Sequence, residues 1–489
     1  VVDTAPASSS PAVEHPWRAL TVTLLVGFMS LLDVTIVNVA VPSIEKGLGA
    51  SPETVQWVVS GYALTFGLTL VAGGRLGDVV GRRRMFLIGL AGFTLTSALA
   101  GAAWDGPSIV VARLLQGACA GLLTPQNTGL IQQLFTGADR GRAFGYFGTT
   151  VGVSAASGPL IGGLLIEAFG PDDGWRWVFL VNVPIGVVGM VMATRLLPRQ
   201  RPTGARNVAR QVDVPGALLL GAVTLSLLLP VVETQASPDP RWWLLLLLTP
   251  VATWLFLRRE RRLLAQDGAP LLDVRLFTEV PGFASGIALG SVYFCGFAGI
   301  WLVLALFFQG ELGYSALQSG LSVMPFAIGS AATSVVAGRL VARHGRRVTV
   351  TGLSLVVVGF VSLAVVLPLV SPDRVALWAA LPLLVAGIGS GATISPNFTL
   401  TLAEVPPRMG GAAGGAVQTG QRIGTAVGAA LLAAAYRVTL ERSGAETATA
   451  VTFTTSAVFA VVALVIAVRE LRLHPFGSES LDRSPAASG

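Results

Sequence analysis

The sequence predicts an all-α polytopic membrane protein with fourteen transmembrane helices: two six-helix bundles and a two-helix hairpin inserted between them. Composition, the number of apolar runs and an internal repeat carry that prediction. Of the 489 residues, 53% are hydrophobic and 12% charged, about half the charged share of soluble globular domains. A chain so poor in charge cannot cover itself with a water-compatible surface, so lipid must be its solvent over most of its length.

A membrane-crossing helix needs about 20 mainly apolar residues, because its backbone polar groups must be satisfied within the segment. Such runs lie at 19–42, 54–76, 85–103, 107–131, 144–168 and 177–197, then at 213–232 and 242–257. Six more follow at 282–308, 317–340, 347–370, 375–398, 411–436 and 450–468. The run at 242–257 is short and that at 411–436 is rich in glycine, so these two are the weakest. The expected division is a disordered cytoplasmic tail at 1–17, a first bundle at 18–200 and a linker with the two extra helices at 201–270. A second bundle at 271–474 and a tail at 475–489 complete it. Residues 1–16 are polar and lack Lys and Arg, unlike a cleavable signal peptide.

Loop charge orients the spans. With the N-terminus cytoplasmic, 25 of the 33 basic residues fall on the cytoplasmic side, including Arg82 to Arg84, Arg258-Arg259 and Arg346-Arg347. Both termini then lie in the cytoplasm. The net charge of +7 is therefore a topology signal spread over short loops, which argues against a nucleic-acid surface. Cys119 and Cys295 sit in apolar runs, and His15, His344 and His474 stand isolated outside them, so neither a disulfide framework nor a metal site is expected.

The repeat joins the halves. GRLGDVVGRRR at 74–84 recurs as GRLVARHGRR at 338–347, an offset of 264, and Gly117, Gly121 and Asn127 recur as Gly387, Gly391 and Asn397, an offset of 270. Two motifs repeating in order with nearly equal offsets favour two related bundles over chance likeness of glycine- and arginine-rich loops. Parallel repeats of this kind enclose a midplane site and permit alternating access by rocking.

LDVTIVNVAVP (32–42), GRLGDVVGRRR (74–84) and RLLQGACAG (113–121) resemble three signatures of the major facilitator superfamily. GPLIGG (158–163) is similar to the antiporter signature of its exporters. WRWVFLVNVPIG (175–186) and FFQGELGYSALQSGLSVMP (307–325) are similar to its fourteen-helix drug:proton antiporter branch. One departure is Ala342, which stands where the first half has Asp78.

Asp33 is the carboxylate well inside the first apolar run, where a charge costs at least about 2.5–3.5 kcal/mol on insertion scales. It is either a proton carrier or a structural carboxylate bonded to Thr35 or Asn38. Asp33 and Arg113 lie at similar depths, roughly 9–14 Å below the outer ends of their helices at about 1.5 Å per residue. The fold implied by the resemblance makes their pairing plausible. A carboxylate that loses a cation partner takes up a proton more readily, so Asp33 with Arg113 is the expected coupling pair. Asp78 with Arg82 and Arg83 is expected to latch helix ends, against the plainer reading of a solvated topology loop.

Gly158, Pro159, Gly162 and Gly163 should kink the fifth helix and let a neighbour approach; the resemblance implies that this helix lines the bundle interface and limits leak. Arg422, near the bilayer centre beside Gln418 and Gln421, either is satisfied by carbonyls or meets substrate. Asn38, Tyr62, Gln126, Asn127, Tyr293, Phe294, Phe297, Trp301, Gln309 and Asn397 complete the candidate substrate-binding set on spans expected to border the cavity. One acid and two bases at mid-span argue against a site dedicated to cations and lean toward neutral or acidic amphipathic compounds.

No Walker A sequence and no catalytic constellation is present, so neither direct ATP drive nor an enzyme is expected. The expected function is proton-coupled export of small amphipathic drugs or antibiotics from a bacterial inner membrane, by a monomer in contact with membrane lipid and with the proton as sole coupling ion. Export of lipids or endogenous metabolites is the alternative within transport, and GPLIGG disfavours proton-coupled uptake. A sensor or scaffold would need an effector domain that the short tails do not supply.

Overall fold

The computed structural model describes residues 15–170, 172–199, 213–236, 239–266, 268–371 and 373–473. Residues 1–14 of the expected first tail, the second tail at 475–489 and linker residues 201–212 lie outside these residues, while Pro16 and Trp17, expected in the tail, already belong to the first helix. The first bundle comprises α1 (Pro16–Leu48), α2 (Pro52–Val80), α3 (Arg82–Gly101), α4 (Gly106–Leu134), α5 (Gly137–Phe169) and α6 (Gly174–Leu196). The hairpin is α7 (Val214–Ala236) and α8 (Pro240–Ala265). Then come α9 (Phe283–Ala305), α10 (Ala316–His344), α11 (Arg346–Leu369) and α12 (Val375–Thr401). The two weakest apolar runs both belong to helices: 242–257 lies within α8, which opens with a 3-10 segment at Pro240–Leu247, and 411–436 lies within the last helix.

That last helix, Gly410–Leu473, has 64 residues. At 1.5 Å per residue it would run about 96 Å, roughly three times a bilayer core. It breaks at Gly444, where φ is 82° and ψ 171°. Gly428, before the break, packs against Cys295 of α9, and Ser456, after it, packs against the adjacent Gly296. Both segments therefore lie at one level of α9, and the chain has turned back between them. Named α13 and α14, they bring the membrane-length segments among the described residues to fourteen.

Helix starts at the two ends of the molecule are fixed differently. At one end Ser51 caps α2, and Asp105 with Ser108 and Ser315 with Gln318 form capping boxes on α4 and α10. At the other, arginine-rich end, α3 and α11 start directly after Gly81 (φ 107°) and Gly345 (φ 52°), the turn glycines of the two repeated motifs. Their positive φ is why glycine recurs there.

The sequence repeat is also a contact repeat. In the first bundle Gly117 and Gly121 of α4 press on the carbonyls of Tyr62 and Phe66 of α2; in the second, Gly387 and Gly391 of α12 press on those of Phe326 and Ser330 of α10. The seam between bundles repeats as well. Gly74 of α2 meets Gly411 of α13, and Gly338 of α10 meets Gly141 of α5. Glycines at these crossings bring backbones together, the main source of helix association where lipid removes the hydrophobic drive. The hairpin leans on the first bundle, with Thr224 and Leu228 of α7 over Gly67 of α2, while Leu247, Val251 and Trp254 of α8 face outward. A fork between Arg259 and Asp213, 2.6–2.9 Å, ties its two helices at the arginine-rich end.

Candidate transport site

Asp33 sits fully buried in the core of the first bundle. Its Oδ2 accepts from Arg113 Nη1 at 2.7 Å, and its Oδ1 accepts from Gln116 Nε2 at 3.0 Å and Asn182 Nδ2 at 2.8 Å. Four helices meet there, because Gln116 also donates to Ser97 of α3 at 2.7 Å. Arg113 is anchored independently of the carboxylate. It donates from Nε to the Val58 carbonyl at 2.9 Å and from Nη1 to Gln116 Oε1 at 2.7 Å, and it lies 4.1 Å above the Tyr62 ring. Neither Thr35 nor Asn38 bonds Asp33: Thr35 donates to Leu32 and Ser154 carbonyls, and Asn38 is exposed. Sequence reasoning missed Gln116, Ser97 and Asn182. The available signal was position, since Gln116 follows Arg113 by one turn and Asn182 stands within the 175–186 motif.

At the arginine-rich end Asp78, in the last turn of α2, spans the seam. Its carboxylate accepts from Gly411 N at 3.1 Å and Ala412 N at 2.9 Å, the first turn of α13, and from Arg82 at 2.8 Å. Helix N-termini favour anions for this reason. Arg82 in turn donates to the Gly129 and Pro407 carbonyls. Arg83 takes no part in this cluster and donates instead to Thr194 of α6 at 2.6 Å. Two residues absent from the expected set strengthen the closure, Gln132 donating to Leu402 at 2.7 Å and Arg140 to Ala403 at 3.1 Å. A cavity of about 380 Å³ beside this cluster is lined by Arg75, Asp78, Asp273, Arg275 and Arg408 together with apolar residues such as Leu264, Leu271 and Met409. It lies at the arginine-rich end, away from the Asp33 pair.

The glycines of α5 divide by face. A β-carbon at Gly158 would collide with Thr35 Oγ1, and one at Gly162 would stand 3.1 Å from Ile36, so both press on α1 beside Asp33. Gly163 meets nothing within 4 Å, and Pro159 faces Gly320 of α10 across the seam. Gly158→Val should therefore destabilise the protein by about 1–3 kcal/mol through overpacking, while Gly163→Val should stay within about 0.5 kcal/mol. Thermal unfolding of the two purified variants checks the contrast; equal melting temperatures would contradict it.

Several residues expected at a cavity lie inside single bundles instead. Gln126 is buried and donates to Gly73 and Leu122 carbonyls at 2.8 Å. Asn127 is buried among α1 and α4 near Gly27, and its symmetry mate Asn397 accepts from Arg346 at 2.8 Å and donates to the Gly286 carbonyl. Gln421 points toward Gly290 of α9. Tyr293 is buried and donates to Ser390, and with Phe297, Trp301 and Phe326 it forms a run of ring contacts between α9 and α10. Gln309 lies exposed in the π-helical turn after α9. Arg422 lies on the seam, 4.4 Å from the Phe66 ring centroid.

Two pseudo-symmetric bundles, a charge pair within one of them and a hydrogen-bonded closure between them at one end define a multi-pass membrane transporter rather than an enzyme. The chain belongs to the Major Facilitator Superfamily, whose family model matches residues 23–429. It is 35% identical over 432 residues to a probable actinorhodin transporter of Streptomyces coelicolor, covering 87% of this chain and 73% of that one. It is also 35% identical over 425 residues to the cephamycin export protein of Amycolatopsis lactamdurans, covering 85% and 84%. Among solved structures, a proton:xylose symporter superposes with a TM-score of 0.66 at 16% identity over 94% of this chain and 96% of its own. That last likeness concerns the fold alone.

Proposed function

We propose that this protein exports small amphipathic compounds in exchange for protons by alternating access, from a bacterial inner membrane with the arginine-rich end facing the cytoplasm. The observation that carries the reading is the buried Asp33–Arg113 pair at 2.7 Å. Arg113 has contacts to Val58, Gln116 and Tyr62 that do not run through the carboxylate. A small shift of α1 against α4 would therefore withdraw the cation from the carboxylate, and a carboxylate without its cation binds a proton more readily. Gly158 and Gly162 seat α5, a seam helix, on the same stretch of α1, so bundle rocking reaches this pair directly. The export direction draws support from the GPLIGG stretch and from relatives named for export.

The test is substrate-driven proton movement in proteoliposomes holding a pH-sensitive dye, with a panel of antibiotics and dyes. An antiporter moves protons against the direction of the added compound. Movement in the same direction would mean symport, and silence across the panel would count against proton coupling.

A further inference from the structure

Arg422 lies twelve residues into α13, where the seam between the bundles runs past Phe66 of α2. Its side chain is only partly buried. Among the described residues none accepts a hydrogen bond from its guanidinium and no carboxylate pairs with it; the ionisable group that faces it is Tyr62. A cation at this depth is costly and marks function unless something satisfies it, and one aromatic face meets only part of that cost.

The neighbouring polar groups point the same way. Tyr62, one turn from Phe66 on α2, is 2% exposed and its hydroxyl has no partner. Gln418, one turn before Arg422 on α13, is 7% exposed and its Nε2 has no acceptor. The set thus offers a guanidinium, an amide NH2 and a phenolic O–H, three donors without a partner among the described residues, and the acceptors beside them, Gln418 Oε1 and Tyr62 Oη, are neutral. Unmet buried donors are expensive and a charged acceptor is their strongest partner. We infer that Arg422, Gln418 and Tyr62 form a site for the anionic group of an organic acid, so that acidic amphiphiles (carboxylates, sulfonates or phenolates) are a substrate class of this transporter. The role in transport rests on the export reading above; the binding site itself does not.

The ring of Tyr62 carries Arg113 at 4.1 Å and lies 5.8 Å from the ring of Phe66, which in turn carries Arg422 at 4.4 Å. Tyr62 therefore belongs to the proposed anion site and also touches Arg113, the partner of Asp33.

The experiment compares 9-anthracenecarboxylate with 9-anthracenecarboxamide, alike in shape and different in charge, for binding to the full chain in lipid nanodiscs. Wild type should bind the acid at least about tenfold more tightly, the share expected of charge-assisted hydrogen bonds. Arg422→Gln should bring the acid to the level of the amide and leave the amide unchanged, and Arg422→Lys should keep part of the preference. Should Arg422→Gln fail to fold, Gln418→Leu and Tyr62→Phe take its place, each lowering the preference about threefold or more. Equal binding by wild type, binding of neither compound, or a preference that survives Arg422→Gln overturns the inference. Proton movement separates the two claims. If the acid binds as expected but no compound moves protons, the anion site stands and the proton-coupled reading falls. If cationic dyes move protons while the acid does not bind, the exporter reading stands and the anion site falls.

Discussion

Asp33→Asn should reduce substrate-driven proton movement to the leak of empty liposomes while leaving the protein folded and able to bind substrate. Asparagine keeps the shape of the side chain and can still accept from Gln116 or Asn182, the two neutral donors at Oδ1. What it cannot do is carry a proton through a cycle. Removing one member of a buried ion pair usually costs about 3–5 kcal/mol, because the other charge is stranded. Here Arg113 retains the Val58 carbonyl, Gln116 Oε1 and the Tyr62 ring, so the cost should sit at or below the bottom of that range. Arg113→Leu is the complementary variant: it leaves the carboxylate with only the neutral donors Gln116 and Asn182 among the described residues and should likewise stop substrate-driven proton movement. A measured Asp33→Asn rate within about twofold of wild type, a difference of under 0.5 kcal/mol, would make Asp33 a structural residue.

The helices, and the similar depths of Asp33 and Arg113, were legible in the sequence because both are matters of position along the chain, while the pairing itself came from the fold that the resemblance implies. Apolar length marks a span, and an ionised side chain within one stands out. Azimuth was not legible. In a soluble helix the polar face shows which side is out, but in lipid both faces are apolar, so nothing told Gln126 and Asn397 to face a bundle core rather than the space between bundles. The same limit separates Arg82, which joins Asp78, from Arg83, one residue on and about 100° around the helix, which reaches α6. It separates Gly158 and Gly162, four apart on one face, from Gly163. Neutral partners such as Gln116, Ser97 and Asn182 carried no mark of their own, since an uncharged polar residue inside a span is common. The break at Gly444 was legible indirectly, as the gap between two apolar runs, although the helix continues almost without interruption through it.

Asp78→Ala should open the arginine-rich end. The carboxylate joins α2 to the first turn of α13 through two backbone N–H groups and holds Arg82, whose guanidinium reaches the Pro407 carbonyl just before that turn. These bonds exist only while the two helix ends are together, so their free energy belongs to the closed state alone. That differential, rather than the number of bonds, is what shifts a conformational equilibrium. Hydrogen bonds to a charged group contribute about 1.5–3 kcal/mol each, and a net loss of about 3 kcal/mol changes the closed-to-open ratio by roughly a hundredfold. The second repeat offers no substitute, because Ala342 stands at the matching place on α10. Electron–electron spin distances between labels at the exposed positions Arg84 and Arg347 report the opening, in a background with Cys119 and Cys295 replaced. The distance distribution of Asp78→Ala should move to longer values, and Asp78→Asn, which keeps acceptor capacity without charge, should fall between it and wild type. Arg83→Ala should leave the distribution where it is, since that side chain bonds within the first bundle. A distribution unchanged by Asp78→Ala would show that Gln132, Arg140 and the packing of Gly74 on Gly411 hold this end shut without the carboxylate. The charge would then serve only to set the register of α13 on α2.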